Sequence, residues 1–416
     1  QKILTQNIVG TVVDKITGTP LIGAAVVIID SDPLIGTLTD INGQFIIRDI
    51  PVGRIGIRAE YLGYHTHLVT GLSLVSAKEL LITIELEEKV FELEVVVRPK
   101  VQKDQPLNEM AVVSARSFTV EETEKYPGSL GDPARMAMNF AGVLGGADQI
   151  NDIIIRGNSP SGLMWRMEGI NIPNPSHFGA IGSTGGPISM LNNNVLSNSD
   201  FYSGAFPAEF GNALSGVFDL KLRSGNNQSR EYMVQAGLNG FEFGLEGPLL
   251  KNRQDASYIA HYRYSSLAAL NAIGLNIGVR AIPFYQDLSF KVDLPGRKAG
   301  KWSIFGLGGE NHITVEENEN DKNEMTRIAT AVAVLGFSHV HFFNPTLRLK
   351  SSMAFSVARD QEVDSMNRSG VREDFYWCRH LEGKYSFSTE IRKKFNPANI
   401  TFAGINFDLI GLNYRD

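Results

Sequence analysis

The sequence predicts a mainly β protein in three parts: a small N-terminal sandwich, a loop-rich α+β centre, and a run of antiparallel strands of the membrane-barrel kind. Three observations carry this. Residues 7–88 hold about seven short runs of period-two alternation, punctuated by turn signals such as Thr17-Gly18 and Asn42-Gly43. Residues 226–416 hold about nine longer candidate strands whose connections alternate between short and long. No stretch reaches the ~18–20 uncharged apolar residues of a spanning helix, so strands are the route left through a bilayer.

Composition narrows the function. The 416 residues carry a net charge of −6, which argues against a general nucleic-acid or anionic-lipid binder. The 41 glycines and 23 phenylalanines suit a β-rich chain with many turns. A single cysteine, Cys378, excludes an intrachain disulfide and any multi-cysteine metal site. The chain contains no nucleophile elbow, phosphate loop or zinc-binding His-Glu-x-x-His. His65-x-His67 lies on a strand-like run without an acidic third ligand. The acidic run at 309–321 lacks EF-hand spacing and reads as a disordered external loop. No catalytic residue, metal or cofactor is expected, and no enzymatic activity.

Within 7–88, Gly10-x-Val12-x-Asp14, Thr17-Gly18-x-Pro20-Leu21-x-Gly23-Ala24, Gly36-Thr37-x-Thr39-Asp40-x-x-Gly43-x-Phe45 and Tyr61-x-Gly63-Tyr64 recur as a pattern. They resemble the carboxypeptidase regulatory-like domain. The resemblance implies a transthyretin-like β-sandwich of the type found on SusC-like transporters of Bacteroidetes.

Residues 89–104 form a linker around the apolar run Glu94, Val95, Val96 and Val97, ended by Arg98-Pro99. An uncovered β-branched run is an aggregation hazard unless it is meant to pair with a partner's sheet edge. An ordinary last strand or a stiff linker would read the same way.

The centre, 105–225, opens on acidic residues around Glu121 and on Asp132-Pro133, an N-cap followed by proline at the first helical position. A strand ends in Arg156-Gly157 and the next in Glu168-Gly169. A Gly/Ser loop follows, then Glu209-Phe210-Gly211 and a strand opening at Gly216. A short helix is expected around 189–195. This ordered series resembles the plug domain of TonB-dependent outer-membrane transporters, with Glu168 in place of the usual Asp and Phe210 in place of the usual Tyr. Arg156, Gly157, Glu168, Gly169, Gly211 and Gly216 carry the resemblance. The charges of Arg156, Arg166 and Glu168 are expected to pair with one another or with a surrounding wall.

From 226 onward, short connections hold Pro and Gly, and long polar ones are expected at 265–283, 309–326 and 360–374. That rhythm suits a barrel with short periplasmic turns and long external loops. About nine strands are too few for a closed, plugged barrel of this class, so the chain is expected to be the N-terminal part of a longer protein. It opens without a signal peptide, so Gln1 is expected to be the mature N-terminus.

Together the resemblances imply an outer-membrane importer with its N-terminal domain in the periplasm. Its TonB box would be Glu94, Val95, Val96 and Val97. Its ligand-facing plug loops would include Asn158, Ser159, Ser161, Asn174, Ser176 and His177. The expected partners are a TonB-type energising protein, outer-membrane lipid, a small nutrient ligand and a SusD-like surface lipoprotein lid, with no nucleic acid. An oligosaccharide or peptide is the favoured cargo. The alternative is a non-importing surface or secretion-associated binding protein on the same scaffold.

Overall fold

The computed structural model describes residues 4–29, 31–89, 115–118, 123, 129, 132–145, 152–179, 183, 185–237, 240–250, 253–265, 283–296, 299–319, 322–368 and 371–415.

The N-terminal strands are β1 (Thr5–Asp14), β2 (Ala25–Ile28), β3 (Gly36–Leu38), β4 (Gln44–Pro51), β5 (Gly53–Glu60), β6 (His67–Leu74) and β7 (Leu80–Leu86). They form two sheets, ordered β4-β1-β7 and β3-β2-β5-β6. Alternate residues of both sheets (Ile8, Val12, Val26, Phe45, Ile57 and Ile84) share one buried core, as period-two patterning requires. After β1 the chain turns on Asp14, whose Oδ1 accepts from the amides of Ile16 (3.0 Å) and Thr17 (2.7 Å). This is the expected sandwich.

The middle of the chain contains β8 (Ala115–Phe118), α1 (Pro133–Ala137), β9 (Val143–Gly145), β10 (Ile153–Ile155), β11 (Leu163–Met167), β12 (Ile170–Ile172), β13 (Ser176–His177), β14 (Ile188–Ser189), β15 (Ser199–Tyr202) and β16 (Gly216–Leu220). Asp132 caps α1 as expected, its side chain accepting from the Ala134 amide at 2.8 Å, with Pro133 in the first turn. A five-stranded mixed sheet, β12-β11-β16-β15-β8, organises the plug, with β11 and β16 parallel. Its core is aromatic: Trp165 stacks on Phe218 at 4.4 Å, and Phe201 lies 4.6 Å from the same ring. The helix expected around 189–195 is absent. Ser189 ends β14 and the chain turns at Asn192, whose carbonyl accepts from both Val195 and Leu196. The Asn192 side chain also accepts from the Asn194 amide at 2.8 Å, so this asparagine favours a turn over a helix.

The remaining strands are β17 (Glu231–Gly237), β18 (Gly240–Leu250), β19 (Arg253–Tyr264), β20 (Phe284–Pro295), β21 (Lys301–Glu319), β22 (Lys322–Asn344), β23 (Leu347–Arg368), β24 (Val371–Asn396) and β25 (Asn399–Arg415). They pair in sequence order into one nine-stranded sheet. Two connections expected to be long and polar, 309–326 and 360–374, lie mostly within strands. The β21–β22 ladder runs on through Ile313↔Ile328 to Glu319↔Lys322. Strands of 19 to 26 residues reach roughly 60–85 Å at ~3.3 Å per residue, well past a hydrocarbon core of about 30 Å. Beyond that core both faces of a strand meet water. The apolar alternation therefore stops while the hydrogen-bond ladder continues, and the acidic run expected to be a disordered loop is strand over 309–319.

The sheet's alternation is inverted relative to a soluble core. On β18, Phe243 and Leu245 are exposed and Glu246 is buried. On β20, Leu288 is exposed while Asp287, Ser289, Lys291 and Asp293 are buried. On β22, Leu335 and Phe337 are exposed and Ser338 is buried; on β23, Met353 and Phe355 flank buried Ser352, Ala354 and Ser356. Apolar side chains outward and polar ones inward is the pattern of a lipid-facing barrel wall.

Candidate functional site

The plug motifs are turns first. Arg156 and Gly157 both have positive φ (50° and 76°), and the Asn158 amide donates to Ile155 O at 2.9 Å. Glu168 and Gly169 also both have positive φ (53° and 90°), and they join β11 to β12 with Met167 facing Ile170. Two consecutive positive φ values make a type I′ turn, the two-residue connection whose twist suits a hairpin. That accounts for glycine at the second position of each motif. Gly216 answers a different need, since a Cβ there would overlap the Ile155 side chain. Gly211 has open space around it.

Glu168, strained at its φ, is held from several sides. Its backbone amide donates to Leu220 O at 3.0 Å. Its carboxylate accepts from the Leu222 amide and from Lys291 Nζ on β20, both at 2.9 Å. Lys291 also donates to Leu222 O at 2.7 Å, and Ser352 on β23 donates to Glu168 O at 3.0 Å. The sequence expectation that Glu168 pairs with a wall residue is met by Lys291. Arg166 pairs within the plug, with Glu209 at 2.7 Å, and its guanidinium lies 4.8 Å over the Phe210 ring. Arg156 is exposed at its turn, its side chain passing Gly142 and Gly204.

Further contacts seat the plug on the sheet's polar face. Arg223 makes a bidentate pair with Glu246, at 2.6 and 2.8 Å, and the Asn226 amide donates to the same carboxylate at 2.9 Å. Glu242 accepts from Asn192 and from Asn194, and lies 3.0 Å from His261. His177 Nε2 lies 2.9 Å from Asp287 Oδ2, and its Nδ1 lies 3.2 Å from the Asn311 amide nitrogen. Asn311 can donate to Nδ1 only if that nitrogen is unprotonated, so these bonds fit a neutral imidazole with its proton on Nε2.

Burial, which outweighs the pull of Asp287 and is joined by the repulsion of Arg263, holds the His177 pKa below its ordinary 6.5. The unfolded chain therefore binds a proton in a range where the folded protein does not. The stability from the neutral ring is complete above about pH 6.5 and is lost as pH falls below it toward the folded pKa. Thermal melting in detergent should show a lower midpoint at pH 5.5 than at pH 7.5. His177→Gln should flatten that dependence; a slope unchanged by the substitution would place its origin elsewhere.

Sequence reasoning selected Asn158, Ser159, Ser161, Asn174, Ser176 and His177 as loop residues. Asn158, Ser159 and Ser161 are exposed, with the two serine hydroxyls 2.8 Å apart. Asn174 is half-buried. Ser176 and His177 differ from exposed loop residues, because β13 pairs with β14 and buries both against the wall. A cavity of about 230 Å³ opens among these segments. Ser161, Asn171, Asn174, Ser183 and Asn212 line it with hydroxyls and amides, and Leu163 and Leu214 add apolar surface. Asn174 Nδ2 donates to Gly185 O at 2.9 Å, whereas its buried Oδ1 has no hydrogen-bond partner. Glu94, Val95, Val96 and Val97 lie outside the described residues.

The wall residues Glu242, Glu246, Arg263, Asp287 and Lys291 escaped sequence reasoning. Their signal was present as charges at alternate positions of otherwise apolar strands: Glu242 and Glu246 on β18, Asp287, Lys291 and Asp293 on β20. On a lipid-facing strand, that parity marks the inner face.

A family model of the CarboxypepD_reg-like domain matches residues 8–97. The TonB-dependent transporter Oar of Myxococcus xanthus is 23% identical over 328 residues, which cover 70% of this chain and 30% of that protein. Among solved structures, the ferric citrate transporter FecA in its unliganded form aligns with a TM-score of 0.48 and 11% identity, over 71% of this chain and 56% of that one. The outer membrane transporter YddB from Escherichia coli aligns with a TM-score of 0.47 and 11% identity, over 68% of this chain and 45% of that one. The chain thus spans less than a third of Oar's length.

Proposed function

We propose that this chain, a relative of the TonB-dependent outer-membrane transporters with a CarboxypepD_reg-like domain at its N-terminal end, is part of a nutrient importer driven by energised displacement of its plug. The observation that carries this reading is the inverted sheet. Its outer face offers Phe243, Leu288, Leu335 and Phe337 to lipid, while its inner face meets the plug through charge-assisted hydrogen bonds and through Ile259, Phe305 and Val334, which join the plug's apolar core. The charge-assisted bonds among these contacts can break and re-form in a polar lumen, as a movable plug needs. The protein sits in the outer membrane with the sandwich on the periplasmic side, and its cargo is carried rather than chemically changed, so it is no enzyme.

A TonB-type protein recognises Glu94, Val95, Val96 and Val97 by adding them as a strand to its own sheet. Asn158, Ser159, Ser161 and Asn174 face the ligand. The uncharged lining around Asn174 supports an oligosaccharide or peptide cargo over a charged chelate, and a surface lipoprotein of the SusD type would close over it.

Deleting residues 92–98 tests the reading. In cells given radiolabelled pools of neutral oligosaccharides and of peptides, uptake should vanish while surface binding persists. Uptake of both pools at the wild-type rate would mean that the box lies elsewhere; pools that bind the wild-type protein at the surface but are never taken up would exclude the importer reading.

A further inference from the structure

The paired strands β13 and β14, which flank the segment between His177 and Ile188, are held from the wall. Both strands meet one ion pair. Arg263 on β19 and Asp287 on β20 face each other in register, with Arg263 Nε at 2.9 Å and Nη2 at 2.8 Å from Asp287 Oδ2. Asp287 takes the ring of His177 from β13. Arg263 Nη2 donates to the Ser189 carbonyl of β14. The site is shaped for this seating: His177 packs 5.0 Å from the Tyr285 ring, Asn311 meets its other nitrogen, and a Cβ on Gly309 would crowd the imidazole at 2.9 Å. His177 is fully buried and Asp287 is 3% exposed, so little water competes for these bonds.

We propose that Arg263 and Asp287 are positioning residues for the plug's ligand loop, acting through His177 and the Ser189 carbonyl. The pair holds both strands, already paired with each other, against the wall. Asn174 precedes His177 by three residues, and its amide bonds Gly185 O inside the loop. The wall therefore sets where the cavity's amides stand before a ligand arrives, which is preorganisation by residues that need not touch the ligand. The inference rests on the reading of this loop as ligand-facing, but the clamp itself can be tested without a ligand.

The test is hydrogen–deuterium exchange of the full-length protein in detergent micelles. Amides of 174–190 should exchange at least about tenfold faster in Arg263→Gln, on the order of one lost charge-assisted hydrogen bond. Amides of β16 should stay within about twofold of wild type. Should Arg263→Gln not fold, the near-isosteric Asp287→Asn takes its place with the same expectation. His177→Gln, whose amide can both donate to Asp287 and accept from Asn311, should keep most of the protection. The proposal is overturned if the variant leaves 174–190 unchanged, or if β11 and β16 speed up equally, which would mean general loosening. Adding the neutral oligosaccharide and peptide pools to the wild type separates the two readings. Without protection of 174–190 the ligand assignment fails, while the clamp stands or falls on the variants alone.

Discussion

Val96→Pro should abolish uptake and leave ligand binding intact. The run Glu94, Val95, Val96 and Val97 holds three consecutive β-branched residues, and its proposed docking depends on main-chain hydrogen bonds to a partner's sheet edge. Proline removes one N–H and fixes φ near −65°, so it breaks that ladder in the middle. Val96→Thr keeps the β-branch and should do little. Side chains of Val95 and Val97 share one face, so Val95→Asp or Val97→Asp should weaken coupling without the total loss. Energy-dependent uptake beside equilibrium surface binding, using the same labelled pools, separates these outcomes. A proline variant that transports normally would mean that the box lies elsewhere. One that no longer binds ligand would make the run a structural strand.

The second large effect concerns Glu168. Its carboxylate and the Lys291 ammonium are about nine-tenths buried and 2.9 Å apart. Replacing Glu168 by Ala takes the carboxylate contact from a buried ammonium, which keeps Leu222 O and the attraction of Asp293, and frees the Leu222 amide, a loss expected at roughly 3 kcal/mol. Most of that loss should fall on the seating of the plug against β20, read as a lower denaturant midpoint and faster exchange in β11 and β12. Glu168→Gln keeps an acceptor for Leu222 but leaves the ammonium with Asp293 as its remaining counter-charge, so it should lie between. The double variant Glu168→Gln with Lys291→Met removes the charge imbalance and should recover a substantial part of the loss, because a buried pair is worth far less than either partner alone costs. If the double variant is as unstable as the sum of the singles, the pair is not coupled in this way.

Much of the fold was legible because it rests on local rules. Thr17-Gly18, Arg156-Gly157 and Glu168-Gly169 mark turns through backbone conformations that few residues adopt, and Asp132-Pro133 marks a helix start through unsatisfied amides. Alternation located the strands wherever one face met lipid or core. It failed over 309–319 and 360–368, where runs of charged and amide residues interrupt the alternation although the strands continue. It failed differently around 189–195, where a short helix was expected and the Asn192 turn stands instead. The plug–wall partners were not readable. Lys291 meets Glu168 across 123 residues and His177 meets Asp287 across 110. Such pairings depend on the register of a whole sheet against another domain, and no local propensity encodes that. Glu168 could be singled out as a charge in search of a partner, but Lys291 could not be named.

Everything proposed for this chain requires that the outer face of the nine-stranded sheet meet lipid. Spin labels placed singly at Leu335 and Phe337, with Ser338 as the inward control, test this in the protein reconstituted into liposomes. Collision with oxygen, which concentrates in the bilayer, should dominate at Leu335 and Phe337, while a water-soluble nickel chelate should reach them poorly. Ser338 should show little collision with lipid-borne oxygen, giving a period-two record along β22. Equal access of the nickel chelate to Leu335 and Phe337 would contradict a membrane wall, and with it the plugged-transporter reading.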